Sequence, residues 1–282
     1  MSFIDSGISH LGKVIKTGYV QWELASKNGF FQRLDARIKV LFLIFFIVIV
    51  SLKRELLPEI AIAFFVFGLT FASRLNILNF YGRVLFLGFV FGFLIALPSA
   101  FNVITKGDII LPLIHFSKPY DLWIYHIPAT IGITGEGISV VAMLTLRVIN
   151  SVSLSFLVLY TTPFADIIRA LKVLKVPDAV LMIITLTYKY IFIFAKTIED
   201  MYLAKKSRTA SGVSSKEARV WVAGRIAFMF KKSRQRCEDV FNAMIARGFS
   251  DTVMLYDFKK MNKLDAAAGF ALFSAGIIFL WI

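Results

Sequence analysis

Histidine, cysteine and acidic residues are scarce in this chain. Its 282 residues hold three His, one Cys and 18 Asp plus Glu, against 32 Lys plus Arg. The lone cysteine, Cys237, excludes an internal disulfide and a Cys-rich metal site. His10, His115 and His126 are too scattered for a catalytic set. There is no H-E-x-x-H, no C-x-x-C and no G-x-x-x-x-G-K-[ST]. Gly132-x-x-Gly135-x-Gly137 has the glycines of a phosphate loop but no lysine. No catalytic residue, metal site or cofactor is assigned. Work done by such a chain must draw its energy from a partner.

Charge is also thin. Charged residues make up 18% of the chain, hydrophobic residues 58%, and mean hydropathy is +0.74. Soluble domains of this size are less apolar. Several apolar runs approach the ~20 residues that cross a bilayer as a helix. The chain therefore reads as an all-α polytopic membrane protein, with Phe, at 29 copies, suited to surfaces facing membrane lipid. Formal net charge is +14. No aromatic-basic recognition module goes with it, so nucleic acid is a poor partner. Basic loops kept on the cytoplasmic side explain it better.

Residues 1–33 carry Lys13, Lys16, Lys27 and Arg33, with no apolar core after the first charges, so no signal peptide is expected. Spans are expected at about 38–52, 56–73, 84–104, 136–160 and 264–282. Lys53-Arg54-Glu55 joins the first two, and Arg74 to Arg83 the next. Residues 105–134 hold Asp108, His115, Asp121 and His126 with Pro112, Pro119 and Pro128, and read as an external loop. The spacing of these acids and histidines matches no metal-ligand motif. Arg147 lies near the middle of the fourth span. An ionisable residue inside a membrane is a functional candidate by default. The favoured reading is a structural pair with a carboxylate or carbonyls on a neighbouring helix. Asn150, Ser151, Ser153 and Ser155 follow, small polar residues that favour close helix packing in lipid.

Residues 161–262 read as a cytoplasmic module between the first four spans (1–160) and the last (263–282). Thr162-Pro163 resembles an N-cap and a first-turn proline, with Asp166 in the first turn of a short helix that Pro177 ends. A long helix then runs from Asp178 towards residue 210. Its first part, Ala179 to Ala195, is apolar enough to be taken for a span. A crossing there would put residues 199–263 outside, with Lys205, Lys206, Arg208, Lys216, Arg219, Arg225, Lys231, Lys232, Arg234, Arg236, Arg247, Lys259, Lys260 and Lys263. That breaks the positive-inside rule, so this helix is expected on the cytoplasmic side, as is the N-terminus. Gly212 ends it, and Ser214-x-x-Glu217 forms a capping box for a second long helix. Each arm has about 33 residues, or roughly 50 Å. In the second arm Ala223, Ile226, Phe230, Cys237, Phe241 and Met244 recur at helical spacing, and basic residues fill the other side.

The second arm closes on Ala243-Met244-Ile245-Ala246-Arg247-Gly248-Phe249. Alone, this is an ordinary C-cap: a cation complementing the helix dipole, then a glycine stop. A second copy changes the odds. Ala204-Lys205-Lys206-Ser207-Arg208-Thr209 closes the first arm, and both tips read Ala-x-x-small-Arg-small. Ser207 and Thr209 flank one arginine, Ala246 and Gly248 the other. Two matched tips suggest two equivalent docking points, where small residues admit a partner surface and arginine gives a bidentate anchor.

With these tips the chain resembles the transmembrane T component of energy-coupling factor transporters, most closely the CbiQ type associated with cobalt or nickel uptake. The matching pieces are Leu34-Asp-Ala-Arg-Ile-Lys39, Leu146-Arg-Val148, Thr161-Thr-Pro-Phe-Ala-Asp166, Leu171-Lys-Val-Leu-Lys-Val-Pro177, Tyr188-Lys-Tyr190 and the 243–249 tip. The resemblance implies about five spans plus a module of one short and two long coupling helices. It implies that Arg208 and Arg247 enter grooves on two ATPase subunits. It also implies a separate substrate-binding membrane subunit and a place in a bacterial or archaeal cytoplasmic membrane. The family pattern at both tips is Ala-Arg-Gly; Ser207-Arg208-Thr209 keeps only the arginine, and Ala36 stands where the family usually has proline. A vitamin-type T component shares this machinery. A lipid-acting membrane enzyme using Arg147 and the His/Asp loop, or a self-sufficient channel, would copurify without ATPases.

Overall fold

In a computed structural model of the chain, the residues described are 25, 29–102, 104–105, 107–115, 120–122, 125–127, 130–208, 215–249 and 262–281. They form two compact units. One comprises the described residues from 25 to 163 and from 262 to 281; the other, those from 164 to 249.

The first unit is a helix bundle. After a single turn, Phe30–Arg33, the Asp35 carboxylate accepts from the Arg37 backbone N–H at 2.9 Å and starts α1, Ala36–Leu52. α2, Leu56–Ala72, returns after the charged turn at 53–55. α3 starts at Ile77, ahead of the expected span at 84, and runs to Leu87. Asn79, Tyr81 and Arg83 dilute its first turns, yet Arg83 extends its guanidinium to the Tyr160 hydroxyl at 2.6 Å and stays exposed. A π-helical segment, Gly88–Leu94, continues α3. The 3-10 turn Leu97–Ala100, with Pro98, then ends the helix before residue 104. α4, Gly135–Thr161, returns, capped by the Thr134 hydroxyl. α8, Lys263–Trp281, completes the unit.

Phenylalanine fills the core. Phe46 is fully buried and touches Phe42, Phe65 and Phe279, with ring centroids 4.4, 5.4 and 6.4 Å away. Glycine allows the close approaches, as expected where lipid gives helices no hydrophobic reason to associate. A Cβ on Gly276 of α8 would lie 2.4 Å from the Phe45 ring of α1. Gly88-x-x-x-Gly92 does the same against α4, where added Cβ atoms would meet Ile149 at 2.5 Å and the Thr145 backbone at 2.9 Å.

The stretch read as an external loop contains strands. β1, Ile109–His115, pairs antiparallel with β4, Thr130–Thr134, and encloses the shorter antiparallel pair β2, Tyr120–Leu122, and β3, Tyr125–Ile127. The apolar run of β1 lacks alternation and contains Pro112, so no strand period is visible in sequence.

The second unit holds α5, Phe164–Ala170, continued by a 3-10 turn to Leu174, then α6, Asp178–Arg208, and α7, Ser215–Ala246. Lys175 takes the left-handed conformation (φ 57°) and Pro177 follows, which ends the short helix. Lys172 then bridges to Asp178 at 3.1 Å, joining the short helix to the start of α6.

By length and apolarity, Ile77–Leu94, Gly135–Thr161, Asp178–Arg208 and Lys263–Trp281 could each cross a bilayer. α1 and α2 have 17 residues each, about 25 Å, slightly short of the ~30 Å hydrocarbon core. The chain is a helical polytopic membrane protein.

Candidate functional site: two helix tips and the capped bundle

α7 ends in a Schellman turn. Phe249 N–H donates to the Met244 carbonyl at 3.1 Å and Gly248 N–H to the Ile245 carbonyl at 2.9 Å. This closure needs the left-handed backbone of Gly248, φ +81°. Ala246 is the last helical residue, and Arg247 sits between it and the glycine. Ala243, Ala246, Arg247 and Gly248 are all exposed. Met244 and Phe249, the residues such turns commonly bring together, are half-buried.

α6 ends at Arg208, the last described residue before 215. Ser207 returns its hydroxyl to the Ala204 carbonyl at 3.0 Å. Ala204, Ser207 and Arg208 are exposed. Neither Arg208 nor Arg247 has a side-chain partner among the described residues. Thr209, Gly212 and Ser214 lie outside the described residues. The two arms meet where Lys205 Nζ lies 4.3 Å from the centroid of the Trp221 ring. Arg225 adds a second cation near that ring, at 5.6 Å.

In the bundle, Arg147 donates through Nη2 to the Lys53 carbonyl at the end of α1. Its Nε lies 3.7 Å from Oε1 of Glu59, whose side chain is fully buried. Asn150, one turn on, donates to Glu59 Oε2 at 2.8 Å and to the Glu59 carbonyl at 2.9 Å. Arg147 is thus central in α4 but level with the α1–α2 turn, because α4 continues beyond that turn to Gly135. Four oxygen atoms, at the end of α1 and on α2, are held by two side chains of α4.

The same device recurs at the other helix ends. Lys39, buried, donates to the carbonyl of Thr161, the last residue of α4, at 3.0 Å. Gln32 donates to the Ser73 carbonyl at the end of α2 at 2.9 Å. Lys53 Nζ donates to the Leu280 carbonyl near the end of α8 at 3.1 Å. Helix C-termini leave carbonyls without intrahelical partners, and hydrocarbon supplies no water to satisfy them. Here remote side chains do, and three of the donors are cations that also suit the negative end of the helix dipole.

Sequence reading alone missed Lys39 and Glu59 as partners. Glu59 had a visible signal: it is the lone acid inside the run Leu56–Ala72. Among the described residues no group of three or more His, Cys, Asp or Glu could hold a metal ion. Asp121 and His126 are cross-strand neighbours in β2 and β3.

The sequence pattern of the CbiQ family, described as cobalt transport protein, matches residues 27–255. The chain belongs to the CbiQ family. Members of that family are transport components rather than enzymes, and their transporters generally combine them with ATPases and substrate-binding subunits. The match covers both tips and the bundle up to α4. Two proteins of Methanocaldococcus jannaschii are similar to this CbiQ-family chain. The uncharacterised protein MJ1571 is 28% identical over 270 residues, 96% of this chain and 88% of its own length. The uncharacterised protein MJ1089 is 25% identical over 146 residues, 51% of this chain and 54% of its own.

Proposed function

We propose that this chain is the membrane coupling subunit of an energy-coupling factor importer for cobalt or nickel. It carries the conformational change of two ATPase subunits to a separate substrate-binding membrane subunit. The observation that carries the reading is the pair of tips. Each long helix ends in an exposed arginine among small side chains, with no partner among the described residues. The family supplies the class of partner, and an exposed guanidinium on a short-sided helix end is suited to a carboxylate-bearing groove.

In this reading residues 164–249 stand on the cytoplasmic side, although α6 is apolar enough to cross. Crossing would export the basic tract that follows it. Lys189 and Lys196 also interrupt the apolar run, the latter 3.4 Å from Glu199 and 3.3 Å from Asp200. Cys237 on α7 is exposed and reports the orientation. A membrane-impermeant thiol reagent should label it in inside-out vesicles and not in intact cells; labelling of intact cells refutes the topology.

The decisive experiment is copurification of the ATPases with Arg208→Glu, Arg247→Glu and the double variant. Removing one partner of a buried charged pair costs roughly 2–5 kcal/mol, so each single change should weaken the complex and the pair dissolve it. A double variant that holds its ATPases and still takes up cobalt reduces both tips to ordinary helix caps.

A further inference from the structure

Arg83 puts a charge on the face of a membrane helix where lipid is expected. Asn79, Arg83 and Phe86 follow one another at spacings of four and three residues, so they share one face of α3. All three are exposed, and Leu78 beside them is 86% exposed. The stretch Ile77–Leu94 is long and apolar enough to cross a bilayer, so this open face meets lipid. An ionisable residue there calls for a function or a partner. The arginine is held in place. Its Nη1 donates to the Tyr160 hydroxyl at 2.6 Å, and its Cζ lies 6.0 Å from the centroid of that ring. Tyr160 is packed in turn against Phe80 and Phe156, with ring centroids 6.1 and 5.5 Å away. Nε and Nη2 of Arg83 have no partner among the described residues. The Tyr160 hydroxyl, having accepted, still has its own proton to donate.

Among the described residues no carboxylate pairs with Arg83. Between Glu59 and Asp108 the sequence holds Arg74, Arg83 and Lys106 but no acid, and α4 has none after Glu136. The depth is that of lipid headgroups. Tyr160 is the next-to-last residue of α4, and Arg83 lies about 9 Å past the start of α3. Helical side chains lean back towards the N-terminus, which carries the guanidinium outward to the level of Asn79. One turn deeper Phe86 is 67% exposed, an apolar neighbour for an acyl chain. We propose that Asn79, Arg83 and Tyr160 form a binding site for the phosphate group of an anionic membrane lipid. The planar guanidinium offers paired N–H donors to two phosphate oxygens. The Asn79 amide and the Tyr160 hydroxyl add neutral donors on either side. With the N-terminus on the cytoplasmic side, the lipid belongs to the cytoplasmic leaflet.

The test is native mass spectrometry of the full chain in detergent, titrated with phosphatidylglycerol, phosphatidylcholine or inorganic phosphate. The parent should bind one phosphatidylglycerol about five-fold more tightly than phosphatidylcholine. Arg83→Gln should abolish that preference. Tyr160→Phe, which removes only a hydroxyl, should weaken phosphatidylglycerol binding about three-fold. Arg54→Gln removes an exposed cation from the α1–α2 turn, at the other end of the bundle, and should change nothing. A preference that survives Arg83→Gln overturns the inference. An equal loss in Arg54→Gln overturns it too, because net charge and not a site would then attract the lipid. Inorganic phosphate that displaces the lipid at millimolar concentration marks a free-anion site and likewise overturns it. Where Arg83→Gln fails to fold, Tyr160→Phe decides: a three-fold loss supports the site, and unaltered affinity refutes it.

Discussion

The two units of this chain treat apolar surface in opposite ways. In the bundle, Phe31, Phe42, Phe46, Ile49, Ile62 and Leu154 are fully buried, and the helix ends are closed by remote side chains. In residues 164–249, α6 buries only Leu181 and Ala195, and α7 buries none of its described side chains. Val220, Ile226 and Phe230 of α7 stand 66%, 66% and 77% exposed. Basic side chains lie among them. An apolar row left open on a helix with many charges is unlike a lipid face, which has few, and unlike a solvated face, which needs no phenylalanine. The bundle is complete by itself. The arms leave their apolar surface exposed, as the docking proposed for them requires.

The comparison can be broken from the bundle side first. Arg147→Leu leaves the Glu59 carboxylate buried without its cation. Loss of one partner from a buried pair costs about 3–5 kcal/mol, so thermal stability of the purified protein should fall most here, with the tips unaffected. The double change Arg147→Leu/Glu59→Leu should recover much of that loss. An Arg147→Leu protein as stable as the parent would show that water reaches the pair.

Gly276→Val comes next. The added side chain must displace the Phe45 ring, and overpacking of this kind costs about 1–3 kcal/mol, read as a lower melting temperature in detergent. Lys39→Met should cost about 1–3 kcal/mol by leaving the Thr161 carbonyl buried without that donor. Lys39→Arg should recover part of it if the new donor reaches the carbonyl.

On the arm side the expected stability effects are smaller and the functional ones larger. Gly248→Ala meets no neighbouring atom, but its φ of +81° strains any residue with a Cβ. Adopting that left-handed conformation costs roughly 1–2 kcal/mol. ATPase copurification should drop while the melting temperature of the bundle holds. Phe230→Ser should change stability by no more than about 0.5 kcal/mol, as at an ordinary surface site. It should nonetheless reduce assembly of the full transporter, measured by subunit stoichiometry. Loss of stability at Phe230 would mean that α7 packs within its own chain and that its row is not waiting for a partner.

The lesson for reading such a chain lies in where pattern and packing part. Apolar run length located α1, α2, α4 and α8 closely, because a bilayer demands about 20 apolar residues whatever their neighbours. It misplaced α3, because Asn79, Tyr81 and Arg83 dilute a helix that nevertheless begins at Ile77. It left β1 to β4 as loop, because Pro112 and an unbroken apolar run hide the strand period.

What the sequence determined by itself was composition-level and local: a polytopic helical membrane protein, the turn at Lys53-Arg54-Glu55, the glycine that lets α7 end in a Schellman turn, and two spaced arginine tips. Each depends on residues within a few positions of one another, or on hydropathy summed along a run. Only the tertiary structure decided which distant groups meet. Lys39 reaches Thr161 across 122 positions, Arg147 reaches Lys53 across 94, and Lys53 reaches Leu280 across 227. Those partners follow from α4 running antiparallel to α1 and α8 running parallel to it, which places the carboxyl end of one helix beside a cation of another. No local pattern encodes that adjacency, because the free energy that selects it comes from the packed bundle as a whole.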